Sequence, residues 1–154
     1  MGIEIEKKFL VKGDGFKELG LAVHYQQGYL STDKGRVVRV RAIDDKAFMT
    51  IKGISKGATR AEYEYEIPLE DAREMLQNLC LQPIIEKYRY KVPYEGFTWE
   101  VDEFLGENKG LILAEIELES ENQDFDVPSW IGEEVTGDPK YFNSNLVQNP
   151  YKNW

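Results

Sequence analysis

The feature of this sequence that most constrains its fold is a two-residue alternation of apolar and charged side chains, which first occurs over residues 2–11. The apolar members fall on one face of an extended chain: Ile3, Ile5, Phe9 and Val11. The charged members fall on the other face: Glu4, Glu6 and Lys8. Same-face side chains of a strand lie about 7 Å apart, so the two carboxylates can converge on one hard divalent cation and the lysine can hold an anion bound to it. The alternative is a half-exposed strand with a solvated charged face.

Strand-like segments recur along the rest of the chain and predict a mainly β (α+β) fold. They lie at 22–31, 36–43, 47–54, 61–68, 84–92, 98–105 and 111–119. Apolar residues keep helical spacing over 70–81, which predicts an amphipathic helix. Because turns join most of the strands, we expect an eight-stranded antiparallel β-barrel tunnel with helices packed on its outside, formed by one domain over residues 1–154.

Shorter elements are also predicted. Asp14 is placed to cap a short helix over 16–21. A loop-and-helix tail begins at residue 128, and its last short helix is expected over 141–147.

The polar faces of the strands carry almost only charged residues. Beyond the first strand each carries a single sign, in the patterns Arg-x-Arg, Glu-x-Glu, Lys-x-Arg, Glu-x-Asp and again Glu-x-Glu. Like charges two residues apart repel each other unless partners of opposite sign, metal ions or phosphate groups bridge them. A tunnel lined by the charged faces, with the apolar faces packed outward, meets this requirement. An open sheet with a solvated charged face is the alternative.

Composition excludes several classes of partner. The net charge of −9 and the pI near 4.7 argue against non-specific binding of nucleic acid. The sequence has no apolar stretch of 18 residues and no apolar signal core at its start, so we expect neither a membrane span nor secretion. Cys80 is the only cysteine and is expected to be a core thiol, which is typical of a cytoplasmic protein.

Both signs of charge within one tunnel predict metal-dependent phosphoryl chemistry. The cations suit a compact ligand with several phosphate groups, since guanidinium groups bind phosphate in a bidentate manner; they are Lys8, Arg39, Arg41, Lys52, Lys87 and Arg89. The carboxylates would repel the same ligand; they are Glu4, Glu6, Glu62, Glu64, Glu100, Asp102, Glu115 and Glu117. Divalent metal resolves the conflict, because carboxylates hold Mg²⁺ or Mn²⁺ and the metal bridges to phosphate oxygens.

These charged strands resemble the CYTH superfamily, the triphosphate tunnel metalloenzymes. Residues 4–8 resemble its ExExK signature, and the similarity continues in order through nearly the whole chain. The matching blocks lie at 27–30, 38–41, 50–52, 62–66, 86–90, 100–102, 115–117, 133–138 and 141–146. The short, single-domain bacterial members are the most similar.

The resemblance implies an eight-stranded antiparallel tunnel that binds triphosphate substrates with Mg²⁺ or Mn²⁺. It implies a catalytic metal held by Glu4, Glu6, Glu115 and Glu117. It assigns the phosphates to the six cations of the tunnel, Lys8, Arg39, Arg41, Lys52, Lys87 and Arg89. Four further acids are implied to hold a second metal or to orient the attacking water: Glu62, Glu64, Glu100 and Asp102.

Three other residues have open interpretations. By the same resemblance Tyr29 forms a catalytic dyad with Lys8, as proposed in some members; the alternative is that it packs at the rim. Lys140 either reaches the tunnel mouth or lies on the surface. His24, the only histidine, is expected at the surface or rim without an evident partner.

Members of the superfamily hydrolyse inorganic, thiamine or RNA 5′-triphosphates, or cyclise ATP. We expect hydrolysis of inorganic tripolyphosphate to pyrophosphate and phosphate, because no side chains dedicated to an adenine ring or a thiazolium are identifiable. The alternatives are a thiamine or nucleoside triphosphatase, a CYTH-type adenylate cyclase, or a non-enzymatic polyphosphate-binding module. The expected partner is a small triphosphate or polyphosphate, with no nucleic acid and no membrane, and the chain is a monomer or homodimer.

Overall fold

The structure is a computed structural model that describes residues 2–154. Within these residues the chain forms nine strands. They are β1 (Gly2–Val11), β2 (Ala22–Ser31), β3 (Val37–Ile43), β4 (Lys46–Lys52), β5 (Thr59–Ile67), β6 (Ile85–Tyr94), β7 (Phe97–Phe104), β8 (Ile112–Glu117) and β9 (Ile131–Glu134). The two α-helices are α1 (Leu69–Asn78) and α2 (Asn143–Leu146). Short 3₁₀ turns occupy Gly15–Glu18, Gly106–Asn108, Pro139–Tyr141 and Tyr151–Asn153.

Eight of the strands close into an antiparallel barrel. The order around it is β5-β4-β3-β2-β6-β7-β8-β1, and pairing of β1 with β5 completes the ring. β1 closes the ring because its two edges meet different partners: Gly2–Ile5 pair with β5, and Glu6–Leu10 pair with β8. The prediction of an eight-stranded antiparallel barrel is confirmed.

The ninth strand lies where the sequence predicted only a loop. β9 is four residues long and extends the edge of β1 beyond β5, with Phe9 opposite Glu134 and Val11 opposite Ile131. Four residues are too few for the two-residue alternation to identify a strand from sequence alone. This strand brings the C-terminal part of the chain to the barrel beside Lys8.

The apolar faces of the strands point outward and are covered in two places. α1 packs Ala72 and Leu76 against the outward residues of β3 and β4. The predicted helix over 70–81 is thus confirmed, although it ends three residues earlier, at Asn78.

Around Trp99 a second cluster covers the outer faces of β1, β6, β7 and β8, with Phe16 and Trp130 supplied by the flanking loops. The predicted helix over 16–21 is only a 3₁₀ turn, and Asp14 makes no side-chain cap.

One end of the barrel is closed by apolar residues. Inward-facing side chains of six strands meet the tail there: Leu10, Tyr29, Val37, Ile85, Phe104 and Leu113. From the tail, Val135, Leu146 and Val147 pack against them. The predicted last helix over 141–147 is shorter, and α2 is preceded by a 3₁₀ turn. Charged residues therefore line only the part of the interior beyond this apolar layer. None of the helices in residues 2–154 is long and apolar enough to cross a membrane.

Candidate active site

The barrel contains a cavity of about 250 Å³ with a mostly polar and charged wall. The strands contribute their inward-facing side chains: Glu4, Glu6, Lys8, Tyr29, Val37, Arg39, Arg41, Lys52, Arg60, Glu62, Glu64, Lys87, Arg89, Glu100, Glu115 and Glu117. The loop after β4 and the tail contribute the rest: Ser55, Gly57, Ala58, Thr136, Gly137, Phe142, Asn143 and Ser144. The alternation of the sequence thus places both signs of charge in one cavity.

Three carboxylates from adjacent strands converge on one side of the cavity. Glu6 on β1, Glu100 on β7 and Glu115 on β8 each place one oxygen within 4.8 Å of the others. The strand registers bring them together. Glu115 has Glu100 opposite it on β7 and Lys8 opposite it on β1, and Glu6 is the next inward-facing residue of β1 before Lys8. Hard carboxylate oxygens at this separation fit Mg²⁺ or Mn²⁺.

The protonation of these carboxyl groups is uneven. Burial raises the pKa of Glu6 well above its ordinary value, and the negative charges of Glu115 and Glu4 raise it further. Burial also acts to raise the pKa of Glu115, but Lys8 and Arg89 hold it well below its ordinary value. Lys8 Nζ lies 3.5 Å and Arg89 Nη2 lies 3.1 Å from the Glu115 oxygens. Within residues 2–154 Glu6 forms no such ion pair, so a bound divalent cation would supply the positive charge that it lacks.

Asp102, also on an inward position of β7, has a different environment. Its carboxylate accepts hydrogen bonds from Lys87 Nζ at 2.8 Å and from Arg89 Nε and Nη2 at 2.7 and 2.9 Å. Burial acts to raise the pKa of Asp102, but Arg89 and Lys87 lower it below its ordinary value. Asp102 in turn holds the pKa of Arg89 well above its ordinary value despite burial. Burial lowers the pKa of Lys87 to about 7. Asp102 is 1% exposed and does not line the cavity.

Two further acids, Glu4 and Glu62, flank the Lys52 side chain. The Lys52 ammonium lies 3.1 Å from Glu4 Oε1 and 3.5 Å from Glu62 Oε2. Burial acts to raise the pKa of Glu4, but Lys52 and a hydrogen bond with Glu62 lower it. The pKa of Glu62 is raised by burial and by the charge of Glu4. Glu62 is therefore the member of the pair that holds a proton more readily.

The two arginines of β3 share one acid. Arg39 Nη2 and Arg41 Nη2 lie 3.4 and 3.6 Å from Glu64 Oε2, and the buried Thr50 hydroxyl donates to the same oxygen at 2.7 Å. Burial lowers the pKa of Arg41 to about 10, and the neighbouring Arg39 and Arg89 charges add to this effect. A bound polyanion would relieve the repulsion among these guanidinium groups.

The tail fixes Lys8 from both its backbone and its side chain. The Lys8 backbone N–H donates to Thr136 Oγ1 at 2.9 Å, and its Nζ donates to the Tyr141 carbonyl at 3.0 Å. The Phe142 ring lies 5.8 Å from Lys8 Nζ. The C-terminal segment is therefore part of the site.

Asn143 links the tail to two neighbouring strands. Its Oδ1 accepts from Lys87 Nζ at 3.0 Å and from Gln27 Nε2 at 3.1 Å. Gln27 Nε2 also donates to the Tyr29 hydroxyl at 3.1 Å. Within residues 2–154 no hydrogen bond joins Tyr29 to Lys8, and the Tyr29 ring packs in the apolar layer that closes the barrel.

Two residues with open interpretations lie outside the cavity wall. Lys140 is exposed, with Nζ 4.1 Å from the ring centroid of Trp154. The expectation that His24 has no partner is wrong, because its Nε2 lies 2.9 Å from Glu86 Oε2 on the next strand. The remaining predicted site residues, Asp102 apart, all line the cavity.

One charged residue of the wall, Arg60, lies outside the predicted strands. Arg60 falls just before the predicted fifth strand, which begins at 61, whereas β5 begins at Thr59. Arg60 lies on the same face of the strand as Glu62 and Glu64, so extending the predicted strand by two residues would have placed Arg60 in the wall. Thr136 and Asn143 carried no comparable signal, since their roles depend on contacts across more than 50 positions of the chain.

Comparison with known proteins agrees with this geometry. Residues 2–151 match the CYTH domain. The chain belongs to the CYTH domain family. The sequence resemblance is thereby confirmed over nearly the whole chain.

Relatives of this CYTH domain include two proteins named inorganic triphosphatase. One, from Acetivibrio thermocellus, is 62% identical over 154 residues, which is 100% of this chain and 99% of the relative. The other, from Nitrosomonas europaea, is 41% identical over 149 residues, covering 94% and 96% of the two chains. A crystal structure of an inorganic triphosphatase superposes with a TM-score of 0.65 at 38% identity and covers 93% of this chain and 96% of that one.

Proposed function

We propose that this CYTH domain hydrolyses inorganic tripolyphosphate to pyrophosphate and phosphate with the help of Mg²⁺ or Mn²⁺. One observation carries the proposal: a closed-ended cavity combines a convergent carboxylate cluster with a wall of lysines and arginines. The names of the two relatives support the same activity. The expected substrate is a small polyanion.

The carboxylate cluster is the proposed metal site. Glu6, Glu100 and Glu115 are the ligands that the geometry favours, with Glu4 and Glu117 nearby in the wall. Mg²⁺ or Mn²⁺ bound there would neutralise phosphate charge and activate a water molecule. The raised pKa of Glu6 fits this role. Burial and the negative charges of Glu115 and Glu4 disfavour the ionised form of Glu6, and a bound cation would displace the proton and offset those charges.

The basic residues are proposed to bind and polarise the phosphates. Catalysis of phosphoryl transfer depends on positioning and on stabilisation of charge on the transferred and leaving groups. Guanidinium groups provide bidentate contacts for this purpose, and lysines provide point charges. We assign these contacts to Lys8, Arg39, Arg41, Lys52, Lys87 and Arg89.

The remaining predicted residues divide by their contacts. Glu62 has a raised pKa and lines the cavity, so we assign it the orientation of the attacking water. Glu64 is engaged by Arg39 and Thr50, and Asp102 is enclosed by Lys87 and Arg89, so both are proposed to position cations. The catalytic dyad of Tyr29 with Lys8 stays a prediction.

The size of the cavity favours the inorganic substrate. Sites for drug-sized ligands occupy roughly 300–1,000 Å³ and are mostly apolar. This cavity measures about 250 Å³ and is mostly polar. A compact triphosphate without an organic group fits this space and chemistry better than a nucleotide does.

The test is release of phosphate from tripolyphosphate, ATP and thiamine triphosphate, each with Mg²⁺, with Mn²⁺ and with EDTA. We expect metal-dependent release from tripolyphosphate that is much faster than from ATP. Formation of cyclic AMP and pyrophosphate from ATP would instead support a cyclase. Tight binding of tripolyphosphate without turnover would support a binding module. Glu6→Gln, which removes a proposed metal ligand, should lose the metal-dependent release from tripolyphosphate; its matched control is Glu103→Gln, because Glu103 lies on the outside of the barrel, paired with Lys17.

A further inference from the structure

Arg60 differs from the other basic residues of the cavity wall in having no acidic partner. Each of the other six pairs with at least one carboxylate: Lys8, Arg39, Arg41, Lys52, Lys87 and Arg89. Within residues 2–154 no carboxylate oxygen lies within 4.0 Å of an Arg60 nitrogen. Arg60 is thus the basic residue of the cavity wall that has no ion-pair partner among residues 2–154.

The Arg60 side chain is nevertheless held in place. Its Nε and Nη2 donate to the Gly53 carbonyl at 3.2 and 2.9 Å. A guanidinium group has five N–H donors, so three remain after this bidentate contact with a neutral acceptor. The side chain is half-buried and lines the cavity. An anchored cation with free donors is pre-organised for an anion.

Arg60 also lies near residues of the proposed site. On β5 it stands opposite Glu4 of β1, and Glu4 contacts Lys52. Its Cζ atom lies 6.0 Å from the Phe142 ring centroid, and Lys8 Nζ lies 5.8 Å from the same centroid. Arg60 and Lys8 therefore both lie near the same aromatic ring of the tail.

We propose that Arg60 is a further phosphate-binding residue of this site and makes a large contribution to polyphosphate affinity. The inference rests on the proposed function. A phosphate that binds to one of the other six cations competes with a carboxylate already paired there. A phosphate that binds to Arg60 displaces nothing charged, so the full charge-assisted hydrogen bond adds to the affinity.

The experiment is calorimetric titration of metal-stripped protein with sodium tripolyphosphate, which measures binding without turnover. Arg60→Met removes the charge, and Arg60→Lys keeps it. Arg36→Gln is the matched control, because Arg36 is exposed and contacts only Asp33. We expect Arg60→Met to weaken binding about 10- to 100-fold, as loss of a charge-assisted hydrogen bond predicts. Arg60→Lys should recover at least half of the lost binding free energy, and Arg36→Gln should match the wild type.

Two outcomes would overturn the proposal. One is that Arg60→Met binds tripolyphosphate within twofold of the wild type. The other is that both Arg60 variants lose affinity equally and show the same fall in melting temperature, which indicates a brace for the Gly53 backbone only. If Arg60→Met does not fold, Arg60→Gln replaces it with the same expected loss. Failure of the wild type to hydrolyse tripolyphosphate, together with weaker binding by Arg60→Met, would reject the hydrolase and retain the role of Arg60.

Discussion

Glu6 and Asp102 are both acidic residues on the inward face of the same barrel, yet their environments are opposite. Asp102 accepts three hydrogen bonds from Lys87 and Arg89, and its pKa is lowered. Glu6 lies beside Glu115 and Glu100, and its pKa is raised well above its ordinary value. Within residues 2–154 the protein thus supplies cation partners for Asp102 but not for Glu6, whose negative charge requires a bound metal ion.

The largest expected effect comes from removing the charge of Asp102. Asp102→Asn leaves Arg89 and Lys87 buried without their shared acid, so we expect the free energy of unfolding to fall by about 3–5 kcal/mol. Urea denaturation in EDTA measures it. Glu103→Gln changes the adjacent residue, whose pair with Lys17 is on the exposed surface, and should cost less than about 0.5 kcal/mol. Equal losses in the two variants would contradict this assignment for Asp102.

The next effect concerns the activity of a Glu6 variant. Glu6→Gln removes one proposed metal ligand, so we expect the rate of tripolyphosphate hydrolysis to fall about 100- to 1,000-fold. The unfolding free energy in EDTA should not fall, because glutamine resembles the protonated carboxyl group. Initial rates at saturating Mn²⁺ and urea denaturation check the two parts. A variant that keeps more than a tenth of wild-type activity would place the metal elsewhere.

Metal binding should stabilise the protein in a manner that depends on Glu6. At a Mn²⁺ concentration 100 times the dissociation constant, linkage adds about 2.7 kcal/mol to the free energy of unfolding. EDTA should reverse the gain, and Glu6→Gln should show much less of it at the same Mn²⁺ concentration. The same gain in wild type and Glu6→Gln, measured by thermal unfolding, would show that Glu6 is not a ligand.

The smallest effect is a pH dependence of stability without metal. The unfolded chain ionises Glu6 near its ordinary value of 4.5, whereas the folded chain keeps the proton to a higher pH. Between these two pKa values the folded state binds more protons, so stability falls as pH rises. Glu6→Gln lacks this contribution, and its stability in EDTA should fall less steeply above pH 4.5 than that of the wild type. Parallel pH profiles would contradict the raised pKa.

The barrel and most of its charged wall were predictable because the side-chain period of a strand is two. That period identified the inward faces of β1, β3, β6 and β8 without any tertiary information. It could not distinguish Asp102 from Glu100, since both lie on the same face of β7 and differ only in the cations opposite them. Arg60 was missed by a two-residue error in a strand boundary. Asn143 reaches Lys87 from 56 residues away, a contact that only the folded chain reveals.

The most direct test of this account is titration of metal-stripped protein with Mn²⁺, followed by the electron paramagnetic resonance signal of free Mn²⁺. We expect wild type and Asp102→Asn, under conditions where circular dichroism shows both folded, to bind Mn²⁺ with similar affinity and so to remove the free-ion signal. Glu6→Gln should leave most of that signal at the same concentrations. Tight Mn²⁺ binding by Glu6→Gln together with its loss in Asp102→Asn would contradict the central claim that the cluster of Glu6, Glu100 and Glu115 holds the metal.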